Sequence, residues 1–187
     1  MKMSDENHLT IIELEAGLEM IRQSPKDEGP LEMIVRRLGV GEREVLQEAE
    51  IDLERGLVGD SWKERGSSST SDGTAHPDMQ IAVMNARAIG LLARTKDRWP
   101  LAGDQLFVDL DLSVENLPPG TRLIIGSALI EVTAEPHTGC RSFMRRYGAD
   151  AVKFVNSPLG RQLQLRGINA KVIEPGMIQV GDLAKKL

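Results

Sequence analysis

The chain has 187 residues, 41% apolar, 27% charged and 3% aromatic, with a formal net charge of −5, which places it among globular proteins of about one domain. Surface scaling leaves roughly 9,000 Å² exposed of about 30,000 Å² in the unfolded chain, enough burial for one core without covalent staples. The longest apolar stretch, residues 123–130, is interrupted by Gly126 and Ser127 and falls far short of the ~20 residues a membrane helix needs.

Residues 1–8 are polar and acidic with no apolar run, which argues against a secretory signal. A single cysteine then fits a cytoplasmic protein with no internal disulfide. Charge is unevenly spread. Residues 1–139 carry 14 basic and 25 acidic side chains, whereas residues 140–187 carry 9 and 3. A basic block on an acidic body, with six aromatic side chains in all, suits a small oxyanionic ligand better than nucleic acid. Neither a membrane nor a nucleic acid is expected as a partner.

Thr10 and Glu13 form a capping box ahead of Leu14, Leu18 and Ile21, predicting a helix over 11–23 in an appended extension, residues 1–30. The turn at 24–30 then leads into strands near 31–36 and 43–51. Residues 55–74 are punctuated by four glycines around a Ser/Thr run and read as a long ligand-facing loop. A short strand over 79–84 precedes a helix capped by Asn85 and running to about Ala93. Leu106, Val108, Leu110 and Leu112 alternate with polar or exposed-type residues, and 121–125 and 128–133 flank Gly126-Ser127 as a hairpin. Two short helices follow at 140–147 and 150–155, then a last hairpin of 167–173 with 177–180 about Glu174-Pro175-Gly176. Strands without regular βαβ alternation predict a mainly β domain, a barrel or sandwich with short helices, over 31–187.

Few motifs carry chemistry. There is no dinucleotide fingerprint, phosphate loop or nucleophile elbow, and His8, His76 and His137 are too dispersed to signal a structural metal. Asp109 and Asp111 share a strand face and read as solvated. Cys140 is the candidate. If a helix begins beside it, the neighbouring backbone amides, Arg141 and His137 favour a thiolate. Equally, Cys140, Phe143 or Met144, and Tyr147 fall at helical spacing, which would turn the sulfur into the core. Arg141, Arg145, Arg146, Lys153, Arg161 and Arg166 crowd the 27 residues that begin at Cys140, and guanidinium groups match phosphate and other oxyanions.

The ordered set Gly56-Leu57-Val58-Gly59-Asp60, His76-Pro77-Asp78, Gly103-Asp104-Gln105-Leu106, Leu123-Ile124-Ile125-Gly126-Ser127-Ala128, Glu131-Val132-Thr133, Cys140 and Gly167-Ile168-Asn169-Ala170-Lys171-Val172-Ile173, ending at Val180-Gly181-Asp182, resembles the MOSC family. That family is named for the C-terminal domain of molybdenum-cofactor sulfurases. The resemblance implies a closed β-barrel of the pyruvate-kinase-barrel-like type. By position it assigns Cys140 as metal ligand or persulfide carrier for a molybdenum cofactor (molybdopterin), and it maps the glycine-aspartate turn to Gly59 and Asp60, the histidine loop to His76 and the acidic-amide pair to Asp104 and Gln105. Joined to the basic block, this gives a site in which Arg141, Arg145 and Arg166 hold the anion, Asp60, His76 and Asn169 line the cavity, and His76 or His137 is available for proton transfer. An electron-transfer or cysteine-desulfurase partner is also implied, as is a family association with pyridoxal phosphate. The pattern departs from the family at Gly139, where a proline is frequent, and at His76-Pro77-Asp78, where His-Gly-Gly is common.

Overall fold

The computed structural model describes residues 8–187, and the acidic start over 1–7 lies outside the described residues. Two short helices, α1 (Ile11–Ala16) and α2 (Leu18–Arg22), open the chain. The capping box is formed, with Thr10 Oγ1 accepting from the Glu13 N–H and the Glu13 carboxylate accepting from the Thr10 N–H. The single predicted helix is broken at Gly17, where an added Cβ would lie 2.5 Å from Leu91 Cδ2, so close packing on the next layer selects glycine.

Strands β1 (Glu28–Gly39), β2 (Glu42–Leu46), β3 (Glu48–Asp52) and β4 (Gly56–Leu57) come next, then α3 (Trp62–Arg65), β5 (Ile81–Asn85), α4 (Ala86–Ala93), a 3-10 segment Lys96–Ala102 and β6 (Leu106–Val108). They are followed by β7 (Arg122–Ile125), β8 (Ala128–Val132), α5 (Arg141–Tyr147), α6 (Ala149–Asn156), α7 (Pro158–Gln162), β9 (Ile168–Glu174), β10 (Gly176–Gln179) and β11 (Leu183–Lys186). One ring runs β11-β7-β8-β9-β5-β6-β1, and β1 closes it by pairing Glu28, Gly29 and Pro30 with Lys185, Ala184 and Leu183. The expected closed barrel is therefore present. Its β5–β6 neighbours are parallel, joined through α4, and its other ring pairs are antiparallel. Strand β2 hangs on β1 outside the ring, and β10-β3-β4 form a small second sheet.

Two apolar clusters explain which strands lie where. Leu31, Ile34, Val83, Leu106, Val108, Leu123, Ile130 and Ile168 fill the barrel. Met33, Val35, Met84 and Phe107 point the other way, against Leu14, Ile89, Trp99, Phe143, Tyr147 and Phe154 of the helical layer. Strands β5 and β6 are thus buried on both faces, which is why their sequences read as nearly continuous apolar runs, and β1 is so buried over residues 33–35. In β1 a register shift between Leu31 and Met33 turns Ile34 to the interior, so the simple alternation of Leu31, Met33 and Val35 does not hold across it.

Four further expectations are corrected. The 43–51 strand is two strands in different sheets, separated at Gln47. The 106–113 strand leaves the sheet after Val108, although Leu110 and Leu112 stay buried. The 55–74 loop contains β4 and α3, with Trp62 buried. Finally, β9 and β10 are not a hairpin: β9 pairs with β5 and β8, whereas β10 pairs with β3. Among the described residues no helix is long and apolar enough to cross a membrane.

Candidate functional site

Cys140 is exposed and stands at the N-cap of α5, one residue before the helix proper. That offset decides between the two readings of its spacing. Phe143 and Tyr147 are buried to 1% exposure, whereas Met144 is 43% exposed, so the inward face of α5 is Phe143 and Tyr147 and the thiol stays outside. The backbone just before it is clamped. Asn156 of α6 accepts from the Gly139 N–H at 2.9 Å and donates to the Gly139 carbonyl at 3.1 Å. Partial burial pushes the Cys140 thiol up, but the N–H groups of Phe143 and Ser142 and the charge of Arg166 outweigh it and leave the pKa below the ordinary thiol value. No formal capping hydrogen bond reaches the sulfur.

The thiol borders a cavity of about 600 Å³ between the β1–β2 turn, α3, Gly103 and the start of α5. Its lining includes Arg37, Arg43, Arg65, Arg146 and Arg166 against one carboxylate, Glu64. Two of these arginines are pinned from behind. Arg37 donates Nη2 to Asp60 Oδ1 at 2.6 Å and Nε to Asp60 Oδ2 at 2.9 Å, and Asp60 also accepts from the N–H groups of Arg37 and Trp62. Arg166 donates Nη1 to Asp104 Oδ2 at 2.7 Å and Nη2 to the Ala102 carbonyl, with its guanidinium 4.8 Å from the Phe143 ring. Both pairs are buried, and buried charge persists only when so compensated.

The other three arginines form no ion pair with a carboxylate among the described residues. Arg43 donates to the Gly39 and Glu42 carbonyls and Arg146 to the Leu101 carbonyl. Desolvation, then the charges of Arg146 and Arg37, pull the Arg43 pKa down, and desolvation followed by Arg37 does the same to Arg65. The buried Nε atoms of Arg43 and Arg166 lack any partner. This is a concave surface with an excess of fixed positive charge and unspent donors, which is what an oxyanion requires.

His137 lines the cavity as well, and a smaller adjoining chamber of about 110 Å³ shares Arg37, Arg65 and His137 with it and adds Trp62, His76 and Asn169. His137 Nδ1 lies 3.4 Å from Asp104 Oδ1. Burial, reinforced by Arg166, drives the His137 pKa down to about 3 despite Asp104, so the ring is neutral near pH 7. Neither His137 Nδ1 nor Asp104 Oδ1 has a hydrogen-bond partner among the described residues, so the two face each other as a buried polar contact. His76, Asp78 and Glu135 bring ligand atoms within 4.8 Å of one another. His76 Nδ1 accepts from the Asp78 N–H at 3.2 Å, which engages one ring nitrogen, and Nε2 stands 3.7 Å from a Glu135 carboxylate oxygen, beyond hydrogen-bond distance.

The MOSC domain profile matches residues 71–184, more than half of the chain. The chain belongs to the MOSC domain family. Several solved structures share its fold. The YuaD protein from Bacillus subtilis superposes with a TM-score of 0.62 at 15% identity, covering 85% of this chain and 95% of that one. YiiM from Escherichia coli gives 0.55 at 19% identity, over 86% of this chain and 69% of that one. No curated protein matches the chain.

Within this MOSC domain the structure gathers Cys140, His137 and Arg166 at the main cavity and His76 and Asn169 at the side chamber. Asp60 and Asp104 lie behind the wall, fully buried as counter-charges to Arg37 and Arg166. Arg141 and Arg145 are exposed and are not cavity-lining residues; Arg145 donates instead to Ser142 Oγ. Their place is taken by Arg37, Arg43, Arg65 and Arg146. The first three lie in the acidic part of the chain, outside the matched span, where a segment-wise charge count hides them. A signal was nonetheless present. Arg37 and Arg43 flank Gly39-Val40-Gly41 and are directly opposed across the β1–β2 ladder, where like charges are destabilising and, among the described residues, only Arg37 is compensated, by Asp60.

Proposed function

We propose that this MOSC protein binds a polyanionic cofactor of the molybdopterin type in the arginine-lined cavity and presents Cys140 as its thiolate ligand or as a sulfur carrier. The observation that carries this reading is an exposed cysteine of lowered pKa on the same wall as five arginines. The donor set fits the group. Cys140 supplies one soft sulfur of lowered pKa, and the guanidinium groups of Arg43, Arg65 and Arg146, which have no carboxylate partner among the described residues, line the same cavity and suit oxyanions. A molybdenum centre, when bound, would supply two-electron atom-transfer chemistry at the sulfur. Arg43, Arg65 and Arg146 would carry the ligand's negative charge, with Arg37 and Arg166 held in place by Asp60 and Asp104. His137, kept neutral with its pKa driven down to about 3, offers hydrogen bonding without adding to the cationic wall.

The test is elemental analysis for molybdenum, with cyanide-releasable sulfur, on protein expressed in a host that makes the cofactor. The wild-type chain should retain one or both, and Cys140→Ser should lose them. Absence of both from the wild-type chain would defeat the proposal.

A further inference from the structure

Cys140 is the one cysteine of the chain, so its sulfur has no internal partner for oxidation. It lies at a cavity of a size usual for small ligands, about 600 Å³. Arg43, Arg65 and Arg146 line that cavity without carboxylate partners among the described residues, and Arg166, 5% exposed, lines it with its guanidinium held by Asp104 and the Ala102 carbonyl. A nucleophilic sulfur in such a field meets anionic reagents at raised local concentration and cationic ones at lowered concentration. We propose that Cys140 undergoes charge-selected thiol–disulfide exchange, capturing small thiols that bear carboxylate or phosphate groups as mixed disulfides.

The step balances without any further oxidant. The Cys140 thiolate attacks one sulfur of a symmetrical disulfide, and the new Cys140 sulfur–sulfur bond forms as the old one breaks. The other half leaves as a thiolate and takes a proton from solvent according to its own pKa. One disulfide is consumed and one is made: a Cys140 lone pair becomes the new bond and the departing sulfur keeps the pair of the old one, so Cys140 sulfur is oxidised by one unit as the departing sulfur is reduced by one. The arginines act on both halves. They draw the anionic disulfide in and hold the retained half by its carboxylates or phosphates after the exchange.

The inference shares the thiol and cavity of the cofactor reading but uses no cofactor, so metal-free full-length protein tests it alone. Rates of mixed-disulfide formation, followed by intact mass, would be compared for oxidised glutathione, coenzyme A disulfide, hydroxyethyl disulfide and cystamine, each normalised to a free cysteine peptide. Both anionic reagents should outpace cystamine by at least about tenfold at low salt, with the gap closing at high ionic strength. The faster of the two identifies phosphate or carboxylate as the preferred anion. Arg43→Gln, Arg65→Gln and Arg146→Gln should each narrow the gap, and Cys140→Ser should abolish labelling. The salt series on the wild-type chain needs no variant to fold. Equal normalised rates for anionic and cationic disulfides, or a gap indifferent to salt, would overturn the inference; on protein that still carried molybdenum, the cofactor reading would survive that result.

Discussion

Replacing Asp104 by asparagine isolates the ion pair that holds one wall of the cavity. Asp104 is 0% exposed, and its carboxylate meets Arg166 Nη1 at 2.7 Å with the arginine side chain 7% exposed. Removing one member of a buried pair costs about 3–5 kcal/mol, because the survivor is left charged and unpaired. The substituted amide would keep an oxygen able to accept from Nη1, and Arg166 would keep the Ala102 carbonyl and its place over Phe143. The loss should therefore sit at the lower end, about 3 kcal/mol, or a fall in Tm of roughly 6–12 °C for a chain of this size. Thermal unfolding by circular dichroism and urea titration would measure it. Asp104→Asn combined with Arg166→Met removes both charges and should recover part of the loss. As a contrast, Glu32→Gln breaks the exposed Lys96–Glu32 pair and should change stability by less than about 1 kcal/mol. A fall of under about 2 °C for Asp104→Asn, or no recovery in the double variant, would refute the argument.

Three further outcomes are expected. His137 has its folded pKa depressed to about 3 from 6.5, so the unfolded chain binds the extra proton between those values. Its contribution to stability is complete above about pH 6.5 and is lost as pH falls toward 3, with a slope of up to about 1.4 kcal/mol per pH unit; urea titrations should show a flatter profile for His137→Gln. Cys140 should be alkylated by iodoacetamide with a lower pH midpoint in the native chain than in urea; identical native and unfolded midpoints would contradict the electrostatics drawn here. Gly29→Ala should lower the Tm well beyond a surface substitution, at about 3 kcal/mol or more, because the added Cβ would lie 1.7 Å from the Asp109 carbonyl oxygen on rigid backbone.

What the sequence made legible follows the range of the physical signal. The Thr10–Glu13 box, the Asn85 cap and the Gly126-Ser127 turn are set by residues within a few positions of one another, and each was readable in place. Ring closure joins residues 28–30 to 183–185, and β10 leaves β9 for β3; neither pairing has a local signature, and the ordered motif set was what pointed to the barrel. At the candidate site Cys140 and Arg166 stood out by type and neighbourhood. Arg37, Arg43 and Arg65 did not, because an acidic stretch masks three cations that only folding brings together. Arg141 and Arg145 were misleading for the complementary reason: they are close in sequence to Cys140, but the helix turns them away from the cavity.

The grip of Asn156 on both backbone polar groups of Gly139 means that the sulfur is stationed from α6 and not from the strand that leads up to it. The stretch between Thr133 and Gly139 is held as well, by the Glu135 carbonyl accepting from Asn169 Nδ2 and by His137 beside Asp104. Extra residues spliced between Ala134 and Pro136 should therefore disturb the histidine before they reach the thiol. A proline in place of Gly139 would be felt at once, since it has no N–H to offer the amide. Redesign of this protein for other chemistries can move the imidazole from upstream while the sulfur keeps its post, and has very little freedom at the anchor itself.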